Sequence, residues 1–347
     1  MLYVTTRNRC EQYTAARTLM GSRAADGGLF IPLSIPRMEG RELRSFTEMS
    51  FHDCIAKILN RLFHTNLTRW DLVFDIGKYP VRLEAMSHRI IISETWHNAK
   101  WSFEGLIEEL RPHVTGEKDG EGECSFWLET GIRIAVIFGV MAEMMRAEIV
   151  SEENKIDISV VGGNFSAPVA LWIARQMGLP IGNIIICCNE NSGVWNLFHH
   201  GELRTEVVTV STKTPKADIA VPDGLEALIS LTCGIDETGR FVDAWRSGRM
   251  YCPEENYLKK LRCGVEVSVI SEDRLLQTIP SVFGTSGYLL SPYTAMAYAG
   301  LLDYRARTGE SCYGIVFADS SPAGDVCIVA EALKISEEEL RVLINRR

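Results

Sequence analysis

The sequence predicts an α/β fold with a mostly parallel sheet, because a stretch near its middle has the order strand, turn, helix, strand. Residues 156 to 161 are rich in β-branched apolar side chains, as in a buried strand. The pair Gly162–Gly163 permits a tight turn, and Asn164 and Ser166 can cap the helix that begins there. Residues 184 to 188 are a second apolar run. Two strands joined through a helix in this way form a βαβ unit.

The turn formed by Gly162, Gly163, Asn164, Phe165 and Ser166 has two interpretations. The free N–H groups at the start of a helix can bind an anion, which predicts a phosphate site. On local pattern alone, a tight strand-to-helix turn that binds no ligand is the favoured alternative. Short glycine motifs do not distinguish the two.

Composition narrows the class of protein. A chain of 347 residues with 46% hydrophobic and 23% charged residues is typical of a soluble globular protein of about two domains. The net charge of -9 argues against nucleic acid or an anionic membrane as a partner, because both require a basic surface. No apolar run reaches the roughly 18 residues of a membrane span, so we expect a cytoplasmic protein. The sequence does not decide between a monomer and an oligomer. The ten cysteines lack CxxC spacing, which predicts reduced core thiols and no metal site.

The first part of the chain reads as a packing element. Asp26–Gly27–Gly28 predicts a turn before the apolar residues 29 to 32. Ser50 with Asp53 predicts the start of a helix, and apolar residues recur at helical spacing as far as Phe63. We therefore expect a small helical domain over residues 1–85.

Several segments resemble, in order, those of the threonine synthases. DGGLFIP at residues 26 to 32 is similar to the family's DGGLYVP, GGNFS at 162 to 166 to its GNFG turn, and NEN at 189 to 191 to its NEN. TPKADI at 214 to 219 resembles SPSMDI. The resemblance implies a fold-type II pyridoxal-phosphate scaffold over residues 86–347. Such a scaffold is an open twisted, mostly parallel sheet with helices on both faces, similar to tryptophan synthase β. The resemblance also implies that the turn at 162 to 166 is where the family binds the phosphate of pyridoxal phosphate.

The segment ETWHNAKWSFEG at residues 94 to 105 lies where the family has a sequence close to ELWHGPTLAFKD. The resemblance implies that Glu104 replaces the lysine to which the family attaches pyridoxal phosphate. A carboxylate cannot form that bond, because the bond requires an amine nucleophile. Lys100 is the only nearby replacement, although a solvated Lys100 and a first-turn acid at Glu104 explain both residues more simply. We therefore expect no catalytic residue and no covalent cofactor.

The same resemblance implies four further site residues. His97 and Arg133 correspond to the substrate pocket, although a lone histidine such as His97 is more often a hydrogen-bonded structural residue. Asp319, or Ser320 with one residue of slack, corresponds to the threonine that bonds the pyridine nitrogen of the cofactor. Alternatively, Asp319 and Ser320 cap a helix that starts near Gly324.

A second departure from the family concerns its small mobile domain. Residues 114–123, VTGEKDGEGE, predict a short solvated loop where the family has its ATSGDTG block. WLETG at 127 to 131 stands where the family has NSINW. Because such a lid excludes water and completes the site, its loss is a separate argument against catalysis.

Three functions follow from this sequence. The favoured one is a pseudoenzyme, a non-catalytic relative of threonine synthase. It would bind a phosphorylated metabolite such as O-phosphohomoserine, inorganic phosphate or noncovalent pyridoxal phosphate. The second is an active threonine synthase or related pyridoxal-phosphate lyase that converts O-phosphohomoserine to threonine and phosphate, with Lys100 as its amine. The third is an interaction module whose uncovered cleft binds a protein partner.

Overall fold

The computed structural model describes residues 1–72, 81–97, 100, 102–116 and 124–345. Within them lie eight strands: β1 (Tyr3–Thr5), β2 (Phe30–Pro32), β3 (Arg82–Met86), β4 (Ile90–Glu94), β5 (Ile156–Val161), β6 (Ile181–Cys188), β7 (Val265–Val269) and β8 (Gly314–Ala318).

The α-helices of the described residues differ widely in length, from five to 21 residues. They are α1 (Ala15–Leu19), α2 (Arg41–Ser45), α3 (Phe51–Phe63), α4 (Phe103–Thr115), α5 (Phe126–Arg146), α6 (Ser166–Gln176), α7 (Gly193–His200), α8 (Gly224–Cys233), α9 (Ile235–Arg246), α10 (Glu255–Arg262), α11 (Glu272–Ser286), α12 (Pro292–Thr308), α13 (Val326–Leu333) and α14 (Glu337–Asn345).

One six-stranded sheet in the order β3-β4-β8-β5-β6-β7 forms the centre of the molecule. β3 is antiparallel to β4, and all the other neighbours are parallel. The predicted βαβ unit is present as β5, α6 and β6. The predicted α/β class and mostly parallel sheet are therefore confirmed.

Helices cover both faces of this sheet. Along β6, Ile184 and Ile186 belong to the same apolar core as the buried residues of α5 and α6. Ile185 and Cys187, which point to the opposite face, pack with the buried residues of α11 and α12. Side chains of a strand alternate between the two faces, so an unbroken apolar strand requires a helix layer on each.

The first part of the chain packs against the same core. β1 and β2 form a separate antiparallel pair, and the residues of α3 that are buried share a core with those of α5. The backbone N–H of Asp53 donates to the hydroxyl of Ser50 at 3.2 Å, which confirms the predicted start of α3. β3 belongs to the large sheet. The division of the chain at residue 85 stays a prediction.

Two expectations from the sequence are wrong in part. α4 continues to Thr115 and buries Val114, so the predicted loop does not begin at residue 114. Residues 117–123 of that loop lie outside the described residues. All ten cysteines are free thiols, but only Cys54 and Cys187 are buried; burial raises the pKa of each of these two thiols to about 12. No helix in the described part of the chain combines the length and the hydrophobicity that crossing a membrane requires.

Candidate ligand-binding cleft

The carboxyl ends of β5 and β8 lie side by side, because these two strands are parallel neighbours. The chain leaves β5 towards β6 on one side, whereas β8 and β4 lie on the other. Ligands of open α/β sheets bind at this kind of switch point. A cleft of about 440 Å³ opens there, between the turn after β5, the turn after β8 and the start of α4.

The turn after β5 has backbone N–H groups available to a ligand. Gly163 has a φ of 48°, and the Oδ1 atom of Asn164 accepts from the N–H of Ser166 at 3.0 Å as α6 begins. Within the described residues, no acceptor bonds the N–H of Gly163 or Asn164. Gly162, Gly163, Asn164 and Ser166 line the cleft, as the sequence predicted.

Phe165 does not belong to this set. Its φ of 71° turns the chain into α6, and its side chain is buried in the core with 1% of its surface exposed. The prediction that Phe165 contributes to the binding surface is wrong, because an aromatic side chain at this position is stabilised by apolar contacts below the turn.

Arg133 of α5 connects the two turns. Its Nη1 atom lies 2.6 Å from Oδ2 of Asp319, and its Nε atom donates to the hydroxyl of Ser166 at 3.0 Å. Nε and Nη2 each lie 3.2 Å from Oε1 of Glu129. The guanidinium also stacks over the ring of Phe103, with Cζ 3.9 Å from the ring centroid. Burial lowers the pKa of Arg133, but the nearby Asp319 and Glu129 carboxylates more than offset it, so the pKa is raised and the group stays charged.

Glu129 lies four residues before Arg133 in α5 and bonds the side chains of the turn after β5. Its Oε1 atom accepts from the hydroxyl of Ser166 at 2.5 Å, and its Oε2 atom accepts from the amide of Asn164 at 2.8 Å. These bonds use the side chains of the turn and leave its backbone N–H groups. Sequence reasoning missed Glu129, although WLETG was recognised as a departure from NSINW.

Asp319 is engaged on both oxygens. Arg133 binds Oδ2, and the hydroxyl of Thr95 donates to Oδ1 at 3.0 Å. Ser320 lines the cleft, and its hydroxyl donates to that of Ser291 at 3.2 Å. The alternative that Asp319 and Ser320 cap the next helix is wrong, because Ser321 accepts from the N–H of Ala323 at 3.2 Å in that role.

Glu104 lies in the first turn of α4, as predicted. Ser102 caps the helix by accepting from the N–H of Gly105 at 3.1 Å. The carboxylate of Glu104 accepts from Nζ of Lys216 at 2.9 Å, and both residues line the cleft. Burial raises the pKa of Glu104, but the bond from Lys216 and those to the helix start outweigh it, so the pKa is lowered.

Lys216 is held in place by the two family-like segments that follow β6. Asp218 accepts through Oδ1 from the amides of Asn189 at 2.7 Å and of Asn191 at 2.9 Å. The short 3-10 helix Pro215–Ala217, which precedes Asp218, is therefore held in position by two buried asparagines. From the sequence, NEN and TPKADI are known only as resemblances; their contact with each other is a result of folding.

The lysine that bonds Glu104 is Lys216 and not Lys100, which corrects the prediction that Lys100 is the only nearby amine. Lys100 precedes α4, pairs with Glu108, keeps 61% of its side chain exposed and does not line the cleft. Lys216 occupies that place, 112 residues away from Glu104 in the chain. The only signal that could have found it was its position inside a family-like segment.

His97 also lies apart from the cleft. Its Nε2 atom is 2.5 Å from Oε2 of Glu94, and its ring stacks on Trp96. Glu94 in turn accepts from the hydroxyl of Tyr288. The assignment of His97 to the substrate pocket is wrong, and the structural alternative explains its contacts.

One protein family and several known proteins are similar to this chain. The family described as threonine synthase N terminus matches residues 2–77. Threonine synthase from Pseudomonas aeruginosa is 25% identical over 218 positions, which cover 59% of this chain and 45% of the relative. The chain is related to the threonine synthases.

The chain covers very different shares of the lengths of its curated relatives. Human threonine synthase-like 1 is 26% identical over 56% of this chain and 26% of its own length. The chain thus spans less than half of the length of these two relatives. Human threonine synthase-like 2 is 20% identical over 458 positions, which include 100% of this chain and 94% of the relative.

Solved structures of threonine synthases share the fold. The PLP-bound enzyme from Brucella melitensis superposes with a TM-score of 0.82 at 18% identity, covering 100% of this chain and 95% of that one. The yeast enzyme also gives a TM-score of 0.82 at 17% identity, covering 99% and 93%. The threonine synthase-like fold, of the fold-type II class predicted from the sequence, is therefore established.

Proposed function

We propose that this chain is a non-catalytic relative of threonine synthase whose cleft binds a phosphorylated small molecule without a covalent cofactor. The observation that carries the proposal is the ion pair between Glu104 and Lys216. An acid stands at the position that resembles the family's lysine, and it engages the one lysine that lines the cleft within the described residues. The cytoplasm stays the predicted location.

The residues of the cleft do not fit covalently bound pyridoxal phosphate. Such a cofactor needs an amine that is free to attack its aldehyde, and the amine of Lys216 is paired with the carboxylate of Glu104 at 2.9 Å. It also needs a partner for its ring nitrogen, and Asp319, the candidate, is engaged by Arg133 and Thr95. A cationic guanidinium beside that carboxylate opposes a second positive charge there. We therefore derive no reaction step through this cofactor.

The length of the alignments supports the loss of a family segment. The match with threonine synthase-like 2 runs over 458 positions, whereas this chain has 347 residues. The relative thus has over a hundred positions without a counterpart here. This agrees with the absence of the ATSGDTG block from the sequence, and a cleft without that block admits water more readily.

Donors in the cleft support a phosphate-bearing ligand. The N–H groups of Gly163 and Asn164 point to an anion site at the start of α6, and Lys216 adds a positive charge from the facing segment. Glu129, which bonds the side chains of this turn, is paired with Arg133. A phosphate monoester therefore has both neutral and charged donors within one cleft.

We expect O-phosphohomoserine to raise the melting temperature of the protein, because a ligand that binds only the native state stabilises it. Lys216→Met should weaken this binding by roughly tenfold, since a charge-assisted hydrogen bond is lost. Lys213→Met is the matched control, because Lys213 lies three residues earlier and pairs with Glu331 outside the cleft. Equal loss in both variants, or no stabilisation of the wild type, contradicts a phosphate-binding cleft. The latter result would favour a protein partner as its occupant.

A second candidate, an active pyridoxal-phosphate lyase, is favoured by one observation, which is that the amine of Lys216 lies in the cleft at all. We expect incubation with pyridoxal phosphate followed by borohydride to leave no more adduct on Lys216 or Lys100 than on Lys259, a lysine outside the cleft with 73% of its side chain exposed. Peptide mass spectrometry measures this. A stoichiometric adduct on Lys216 would instead support the hypothesis that the chain is an active pyridoxal-phosphate enzyme.

A further inference from the structure

A second pocket, of about 440 Å³, lies outside the cleft at the turn Asp26–Gly27–Gly28. The guanidinium groups of Arg7, Arg23 and Arg246 line it together with Val242 and Trp245 of α9. This turn belongs to the DGGLFIP segment, for which the cleft provides no role.

The three arginines converge on Gly27. Nη1 of Arg23 donates to the carbonyl of Gly27 at 2.7 Å. A methyl group at Gly27 would lie 2.7 Å from Nη1 of Arg7 and 3.8 Å from Nη2 of Arg246. The absence of a side chain at this glycine therefore leaves room in front of two guanidinium groups.

Carboxylates pair with two of these arginines, and one of these acids, Asp223, also lines the pocket. Glu226 is completely buried; it accepts from Nη2 of Arg7 at 2.9 Å and lies 3.3 Å from Nη1 of Arg23. Asp223 pairs with the other terminal nitrogen of Arg23 at 2.7 Å. The carboxylate of Asp26 accepts from the hydroxyl of Thr5 in β1 and from the N–H of Gly28.

Arg246 differs from the other two arginines. It lies in the last turn of α9, is exposed, and has no acidic partner among the described residues. Nη2 of Arg246 and Nη1 of Arg7, which Glu226 holds in place, both lie within 4 Å of the position of a methyl group at Gly27. Like charges that converge on an open pocket repel unless an anion lies between them.

We propose that this pocket binds the dianion of phosphate, either free or as a monoester. Nη1 of Arg7, which does not bond Glu226, and the guanidinium of Arg246 supply N–H donors for phosphate oxygens, and Arg23 adds charge from the third side. Val242 and Trp245 give a monoester an apolar wall for its organic part. The site is independent of the cleft and uses none of its residues.

Isothermal titration calorimetry with inorganic phosphate tests this. The wild-type chain should bind phosphate, and Arg246→Ala should weaken the binding by roughly tenfold or more. Arg249→Ala is the matched control, because Arg249 is an exposed arginine three residues away whose side chain bonds Ser247 outside the pocket. It should bind phosphate as the wild type does. Both changes are at exposed positions and leave the core intact.

Three results would overturn the proposal. They are the absence of phosphate binding by the wild type, an equal loss in Arg246→Ala and Arg249→Ala, and a loss in Lys216→Met without one in Arg246→Ala. The last result would place phosphate in the cleft. Failure of the cleft to bind O-phosphohomoserine leaves this experiment unaffected, because the two sites are probed by different variants.

Discussion

Arg133→Met should lower the free energy of unfolding by about 3 kcal/mol, because it leaves the carboxylates of Glu129 and Asp319 without their counterion. Only 15% of the Arg133 side chain is exposed, so water replaces little of what is lost. Urea unfolding of the two proteins measures the difference.

The control for this change is Arg37→Met. Arg37 also forms an ion pair, with Glu39, but 74% of its side chain is exposed. We expect a loss below about 1 kcal/mol there. The double variant Arg133→Met/Glu129→Met should be more stable than Arg133→Met alone, since it removes one of the unpaired acids. If the single Arg133 variant is as stable as the wild type, Arg133 does not hold the two turns together.

Gly178→Ala is the second change for which we expect a large effect, a loss of about 3 kcal/mol or more in the free energy of unfolding. Gly178 follows α6 with a φ of 112°, and a methyl group there would lie 2.3 Å from the carbonyl oxygen of Met38. The N–H of Met38 donates to the carbonyl of Met177 at 2.8 Å, so the two backbones are fixed against each other. Relief of the clash requires separating them.

Gly309→Ala separates backbone conformation from close approach. Gly309 ends α12 with a φ of 77°, and no atom lies within 4 Å of the position of a methyl group there. Only conformational strain remains, which costs about 1 kcal/mol. Similar losses in the two variants, measured by urea unfolding, would show that contact with Met38 contributes little.

The candidate site was predictable only as a set of separate segments. The turn at Gly162 and Gly163 could be placed after a strand from local pattern, and Arg133 and Asp319 from resemblance to a family. Their mutual contact depends on β5 and β8 being neighbours, although more than 150 residues separate them in the chain. No local pattern encodes such a pairing, which is why the Arg133–Asp319 ion pair was not foreseen.

The position of Lys216 was also not predictable from the sequence. Lys100 is the only candidate that the sequence offers near Glu104, because helical spacing gives a rule for contact between residues four apart. The folded chain brings Lys216 there instead, through the bonds of Asp218 to Asn189 and Asn191. Proximity in sequence predicts contact only within one element, and this ion pair joins two.

The sequence by itself determined the α/β class, the start of α3 at Ser50, the turn at Gly162 and Gly163, and the acid at Glu104. Each of these depends on neighbours a few residues away, through alternation, capping or the freedom of glycine. Tertiary structure alone decided which charges meet: Glu104 with Lys216, Arg133 with Asp319, and Arg7 with Glu226 beside the DGG turn. Electrostatic partners are chosen by distance in space, and that distance is fixed only when the sheet and its two helix layers have packed.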